Sequence, residues 1–312
     1  MNKSLFRGVE MNKIRLKDLR RDKVLIFMCI PAIVYYFIFK YIPMYGVLIA
    51  FQRYSPLTGI WGSEWVGFKW FLEFFKSFYF FRLIRNTFLL NIYQLFFGFP
   101  VPITFALLLN EIRNVYYKKV VQTVSYFPHF ISTVIIVGLL FDFLNPDGGI
   151  VNKFIGLFGI EPISFMTQKE WFRTVFVASN IWKNFGWGSI VYLAALTSID
   201  QQLYESATID GASKLQQIFY INIPSLAPTI IILAILRIGR IMSIGFQKVI
   251  LMYSPAIYET ADVISTYVYR KGLLNANYSF GAAVGLFNAI INFCLIMVVN
   301  RISRKISQVS LW

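Results

Sequence analysis

Residues 204–224 read YESATIDGASKLQQIFYINIP and place two carboxylates, Glu205 and Asp210, beside Gly211, between two of the most apolar runs of the chain. Taken alone, the stretch reads as an amphipathic connector lying on the membrane surface, though it carries more detail than such a connector requires. A second set of polar residues lies inside the apolar runs themselves. Lys183 is one, and Arg237 and Arg240 form a pair three residues apart on one helical face. Charges held in apolar segments are costly and mark ligand paths by default. Asn180, Asn184, Asn91, Gln94, Gln247, Asn288 and Asn292 add amides to those runs. Each amide taken singly reads first as an interhelical hydrogen bond. Trp187 offers an aromatic face on the same side of a helix as Lys183. Three cations with no acidic partner in these segments suit a ligand carrying carboxylates or sulfates.

The inventory narrows the function class. There is no G-x-x-x-x-G-K-[ST] loop to cradle nucleotide phosphates. The lone histidine, His129, has no H-E-x-x-H context and reads as a packing residue beside Pro128. The two cysteines, Cys29 and Cys294, sit far apart in apolar runs and imply neither a disulfide nor a metal framework. No Asp/Glu relay of the proton-pump kind occurs within the apolar runs.

The elements that must position these residues are membrane helices. The 312 residues are 57% hydrophobic and only 14% charged, against about 25% charged in soluble domains. Mean hydropathy is +0.60. A net charge of +15 could speak for nucleic acid, but the bases flank hydrophobic runs instead of forming one soluble face. Six segments are long enough for spans of about 20 residues: 24–50, 83–110, 119–143, 172–197, 224–252 and 277–300. Helix is the expected form, because a span must satisfy its own backbone. Pro31 and Pro43 predict kinks in the first. The bias of Lys and Arg, carried mostly by residues 1–23, puts both termini on the cytoplasmic side. The expectation is an all-α polytopic protein: a basic tail over 1–23, then one membrane domain over 24–312.

In that topology three loops face outward, at 51–82, 144–171 and 253–276. The first carries Trp61, Trp65 and Trp70 and is expected to lie on the membrane as an interfacial helix. In the second, Asp147-Gly148-Gly149 signals a turn ahead of a short helix. The polar elbow, 198–224, faces inward as two short helices. Ser198-x-x-Gln201 and Ser213-x-x-Gln216 fit capping boxes, Gly211 is the break, and Pro224 opens the next span.

The elbow also resembles a known element. Glu205-Ser206-Ala207-x-x-x-Gly211, then nine residues, then Ile221-Asn222-Ile223-Pro224, is similar to the EAA loop of the membrane subunits of bacterial ABC importers. That pattern is E-A-A-x-x-x-G, about nine residues, I-x-L-P; this chain has Ser206 for Ala and Ile223 for Leu. The stretches KYIPMYGVLIAFQRY, GFPVPITFALLLNE, VQTVSYFPHFIS, IWKNFGWGSIVYLAAL and ISQVSLW resemble the maltose-type sugar permeases, in the branch named for lipopolysaccharide-, aldouronate- and alginate-like oligosaccharide uptake.

The resemblance implies a type I ABC importer permease fold in a bacterial cytoplasmic membrane. It implies a second permease as partner, preferably a different one, with two ATPase subunits and an external sugar-binding protein. ATP and Mg would sit on the ATPases, and this chain would hold no cofactor. Glu205, Ser206, Ala207, Asp210, Gly211, Ala212 and Pro224 would couple it to an ATPase, with Glu205 and Gly211 the sensitive positions. Lys183, Asn184 and Trp187 match a stretch that touches sugar in maltose-type members. The remaining path candidates are Asn180, Arg237, Arg240, Gln247 and Asn288. The alternative is a secondary sugar carrier that works without an ATPase.

Overall fold

The computed structural model describes residues 23–307. The basic tail, save Lys23, and most of the closing stretch ISQVSLW lie outside the described residues. Helix α1 (Lys23–Tyr36) runs into a π turn (Phe37–Tyr41) and then a 3-10 turn (Tyr45–Phe51). The winding changes around Pro43, which has no N–H to give to the preceding turn.

The first loop is more than a surface helix. Strands β1 (Gln52–Arg53) and β2 (Glu64–Trp65) pair antiparallel in register Gln52 to Trp65. The helix Lys69–Phe75 that follows buries Phe71 and Phe74, and Trp70 Nε1 donates to Gln52 O at 2.8 Å. Trp61 and Trp65 remain exposed. The expected interfacial helix is therefore docked against the protein, while Trp61 against Tyr45 and Trp65 against Phe51 each keep an exposed face.

Helix α2 (Phe80–Tyr93) passes through a π turn (Gln94–Gly98) into α3 (Pro100–Asn110), together one 31-residue apolar helix. Helices α4 (Val115–Phe130) and α5 (Thr133–Phe143) meet at 98°, so the single span expected over 119–143 is broken. The cause is local. Ile131 is extended, and the Ser132 side chain accepts from Ile135 N at 3.3 Å, capping a new helix. A short helix, Ile150–Gly156, follows the turn at Gly148, as expected.

Helix α6 (Lys169–Thr197) is the central element, packed against α3 and α4. Gly186 allows the closest of these approaches: a Cβ there would meet the Ser125 backbone oxygen of α4 at 2.2 Å. The elbow contributes α7 (Gln201–Ile209) and α8 (Lys214–Gln217). A π turn (Ile218–Asn222) joins α8 to α9 (Ile223–Ile238).

The span expected over 224–252 is displaced. Its helix starts at Lys214, inside the elbow, and stops at Ile238. A separate helix, α10 (Phe246–Met252), follows after a turn. Gly239 sits at the stop, where a Cβ would press on the Ile296 side chain at 3.0 Å. The last long helix is α11 (Tyr278–Ser307).

Among the described residues four helices are long and apolar enough to cross a membrane, or five if the α4–α5 pair is one bent span. α6 is long enough at 29 residues, but its polar run through Asn180, Lys183 and Asn184 keeps it out of that number. The fold is thus a largely helical, multi-pass membrane protein. Its core lies in clusters strung along the bundle: Phe172, Phe176 and Val249 in one, Leu107, Leu193 and Leu226 in another, and Phe74, Leu83 and Phe280 in a third.

Candidate functional site

Two places gather the polar residues: a cavity inside the bundle and the elbow at one end.

The cavity measures about 560 Å³ and lies between α2, the π turn after it, α3, α6 and α9. α6 presents Asn180, Asn184, Gly188 and Val191 to it, positions spaced by three or four and hence on one face. Opposite them stand Arg237 and Arg240, at the end of α9. Arg237 Nη2 donates to Gln94 Oε1 at 3.0 Å, which fixes the guanidinium against the wall. No Asp or Glu is among the lining residues. The cavity can therefore stabilise an anion or an array of hydroxyl oxygens, and its lining offers a cation no carboxylate.

Of the path residues named from sequence, Asn180, Asn184, Arg237 and Arg240 come together here. Lys183 and Trp187 share a face, but it turns to α4 and α5. Lys183 Nζ donates to Thr133 Oγ1 at 3.2 Å, and Trp187 stacks on His129 with ring centres 4.7 Å apart. Gln247 is exposed on α10, and Asn288 is half-buried on α11; neither lines the cavity. Lys248 is buried beside Gln247 and donates to Phe176 O at 2.9 Å and Ser179 Oγ at 2.8 Å, pinning α10 to α6.

His129 is the residue that sequence reading undervalued. Its Nδ1 lies 3.1 Å from Asn184 Oδ1. No pattern in the chain joins two residues 55 apart, so only the crossing of α4 and α6 shows the pair.

The elbow is built by its caps. Asp200, not Ser198, starts α7: its carboxylate accepts from Gln202 N at 3.0 Å. Ser198 instead ends α6, which leaves no room for the expected first capping box. The second box is present, with Ser213 Oγ accepting from Gln216 N and Gln216 Oε1 from Ser213 N. Between them Gly211 has φ +79°, and Ala212 N donates to Ala207 O at 2.8 Å while Gly211 N donates to Thr208 O at 3.1 Å. These are the paired bonds of a Schellman ending, which needs a left-handed residue at that point.

A groove of about 580 Å³ separates α7 from the end of α3, bordered by Glu111, Arg113, Glu205 and Lys214. Lys214 Nζ bridges to Glu111 Oε2 at 3.4 Å, and Gln217 Nε2 donates to Thr208 Oγ1 at 3.0 Å. Glu205, Ser206, Asp210 and Pro224 are exposed, with Ala207 and Ala212 half-buried. Leu203, Ile209 and Leu215 also stand free on the elbow.

Residues 98–308 match the family of binding-protein-dependent transport system inner membrane components. The chain belongs to that family. Family membership makes it a transport component of the membrane, not an enzyme. Relatives extend the likeness over nearly the full length. Protein LplB of Bacillus subtilis is 46% identical over 94% of this chain and 92% of its own. The polygalacturonan/rhamnogalacturonan transport system permease protein YteP of the same organism is 44% identical over 96% and 93%. Among solved structures, a chain of a bacterial alginate ABC transporter, in complex with an alginate pentasaccharide-bound periplasmic protein, superposes with a TM-score of 0.86. It is 45% identical, covering 95% of this chain and 99% of its own. The family match includes the cavity face of α6, both arginines and the whole elbow.

Proposed function

We propose that this chain passes acidic oligosaccharides across a bacterial cytoplasmic membrane by alternating access, driven by ATPases that it does not itself contain. The permease role follows from the family and its relatives. The observation that carries the cargo class is the cavity wall, where Arg237 and Arg240 face Asn180 and Asn184 with no lining acid. A carboxylate-bearing sugar would find charge-assisted donors there. Relatives named for polygalacturonan and alginate handling support the same class.

The elbow is the proposed seat of an ATPase subunit. Glu205, Ser206 and Asp210 give it an acidic, hydroxylated edge, and Leu203, Ile209 and Leu215 give it apolar contacts, the mixed character of a docking surface. Ala207, Gly211 and Ala212 set its turn, and Pro224 lies where α9 begins. Because the helix is continuous from Lys214 to Ile238 apart from its π turn, a pull on the elbow reaches Arg237 through about 35 Å of helix. Two docked ATPases closing on ATP and Mg would thereby bias the cavity between its two openings. A second permease would complete the pathway, and an external sugar-binding protein would deliver cargo. Six spans with both termini cytoplasmic, a basic tail and one membrane domain complete the proposal, supported by the six apolar segments of the sequence and by the Lys/Arg bias.

The test is uptake by the assembled importer in proteoliposomes of an oligouronate and a neutral oligosaccharide of equal length. Arg237→Gln and Arg240→Gln are expected to lower oligouronate uptake and to leave neutral uptake nearer the parent level. Equal loss for both sugars would refute charge selection at this wall.

A further inference from the structure

The cavity wall on α6 is held by a relay that starts outside it. Asn184 Nδ2 donates to the Asn180 backbone oxygen at 2.9 Å and to Asn180 Oδ1 at 3.1 Å. A backbone carbonyl only accepts, so this contact fixes which end of the Asn184 amide is nitrogen. Asn184 Oδ1 must then be the atom facing His129 Nδ1 at 3.1 Å. That oxygen only accepts, so His129 carries its proton on Nδ1. Asn180 Oδ1 accepts that bond, which makes Asn180 Nδ2, with its two hydrogens, the donor end of that amide.

The ring of His129 is itself held. It lies parallel to Trp187, with centroids 4.7 Å apart and planes 1° apart, and Phe130 closes edge-on to Trp187 at 5.3 Å. The helices approach closely enough for this because Gly186 meets Ser125, one turn before His129 on α4.

We propose that His129 is a positioning residue for cargo selection: through Asn184 it locks Asn180 with its amide donors available in the cavity, beside Arg237 and Arg240. The α6 side of the wall then adds fixed amide donors to the two arginines and favours an acceptor-rich, anionic sugar. This rests on the reading of the cavity as the cargo path. His129 does not itself touch cargo; it removes from Asn184 the freedom to turn an acceptor toward it.

The experiment measures oligouronate uptake by the complete importer in proteoliposomes as concentration is varied. His129→Phe keeps a ring against Trp187 and removes the donor. His129→Asn places an amide donor where Nδ1 stands. His129→Phe is expected to raise KM about fivefold to tenfold with the maximal rate little changed, the scale of one hydrogen bond. His129→Asn should restore KM to within about twofold of the parent. In an Asn184→Ala background His129→Phe should add nothing further, since its action runs through that residue.

Parent KM in His129→Phe would overturn the relay, as would equal impairment of His129→Asn or independent effects of the His129 and Asn184 changes. Arg237→Gln, measured alongside, separates this from the cargo reading. Loss of oligouronate preference there with parent behaviour in His129→Phe defeats only the relay.

Discussion

Tyr204 donates its hydroxyl hydrogen to Asn222 Oδ1, joining the first helix of the elbow to the π turn from which α9 rises. Asn222 is fully buried, and its Nδ2 has no hydrogen-bond partner among the described residues. The Tyr204 hydroxyl is pushed above its ordinary pKa by burial and then by the Glu111 carboxylate, so it remains a donor at neutral pH. Together with the Gln217–Thr208 bond, this contact ties the two halves of the elbow to each other, and the Lys214–Glu111 bridge ties α8 to the end of α3.

Tyr204→Phe leaves a buried amide with neither of its polar atoms satisfied, a cost of about 1–3 kcal/mol. The expected outcome is a loose linkage: sugar imported per ATP hydrolysed falls several-fold while the complex still assembles. An unchanged ratio, measured with both quantities in the same vesicles, would show that the contact transmits nothing.

Gly211 tests the elbow differently. A Cβ there meets no atom within 4 Å, so the constraint is the backbone at φ +79° and not space. Gly211→Asn should be tolerated, since Asn enters the left-handed region, Gly211→Ala should cost about 1 kcal/mol, and Gly211→Val should abolish uptake. Equal uptake by the Asn and Val variants would contradict a conformational role.

At the far end of the bundle, the buried Asp262 accepts from Arg82 at 3.0 Å, Arg270 at 2.8 Å and Thr266 at 2.9 Å. It ties α2 to the loop before α11. Asp262→Asn breaks a buried ion network and should cost on the order of 3–5 kcal/mol, read as a clear drop in melting temperature in detergent. Glu64→Gln, removing the exposed partner of Arg53, should leave the melting temperature within error.

Glu259 and Lys169 form a 2.6 Å bridge at the same end. The hydrogen bond from Lys169, and then its charge, hold Glu259 below its ordinary pKa of 4.5; the same bond holds Lys169 above its ordinary value. A depressed acid contributes its full effect above its unfolded pKa and loses it as pH falls through the folded one. Amide exchange over residues 258–262, corrected for intrinsic rate, should therefore stay flat near neutrality and rise only as pH falls below the ordinary glutamate value of 4.5. Lys169→Met should remove that acid step; a step that persists would place its origin elsewhere.

Much of this was legible in the chain. The membrane class came from composition, because so few charges cannot cover a soluble surface. The second elbow cap came from Ser213 and Gln216, because a capping box is local. Where the signal was local but ambiguous, the nearer competitor won: Asp200 displaced Ser198 as the cap of α7. Span limits failed where the helix from Lys214 stops short at Ile238 and where Ser132 restarts one at an angle.

By itself the sequence determined the solvent, the helical class, the elbow with its glycine, and the cations to examine, since each depends on residue type or on neighbours a few positions away. Tertiary structure decided which of them meet. Arg237 and Arg240 share a cavity with Asn180 and Asn184 of α6, whereas Lys183 and Trp187, also on α6, face α5 and α4. A rotation of about 100° per residue divides one polar run between two surroundings, and only the packing of neighbouring helices decides what each face meets. His129 belongs to the same account: its role exists because Gly186 lets two helices touch.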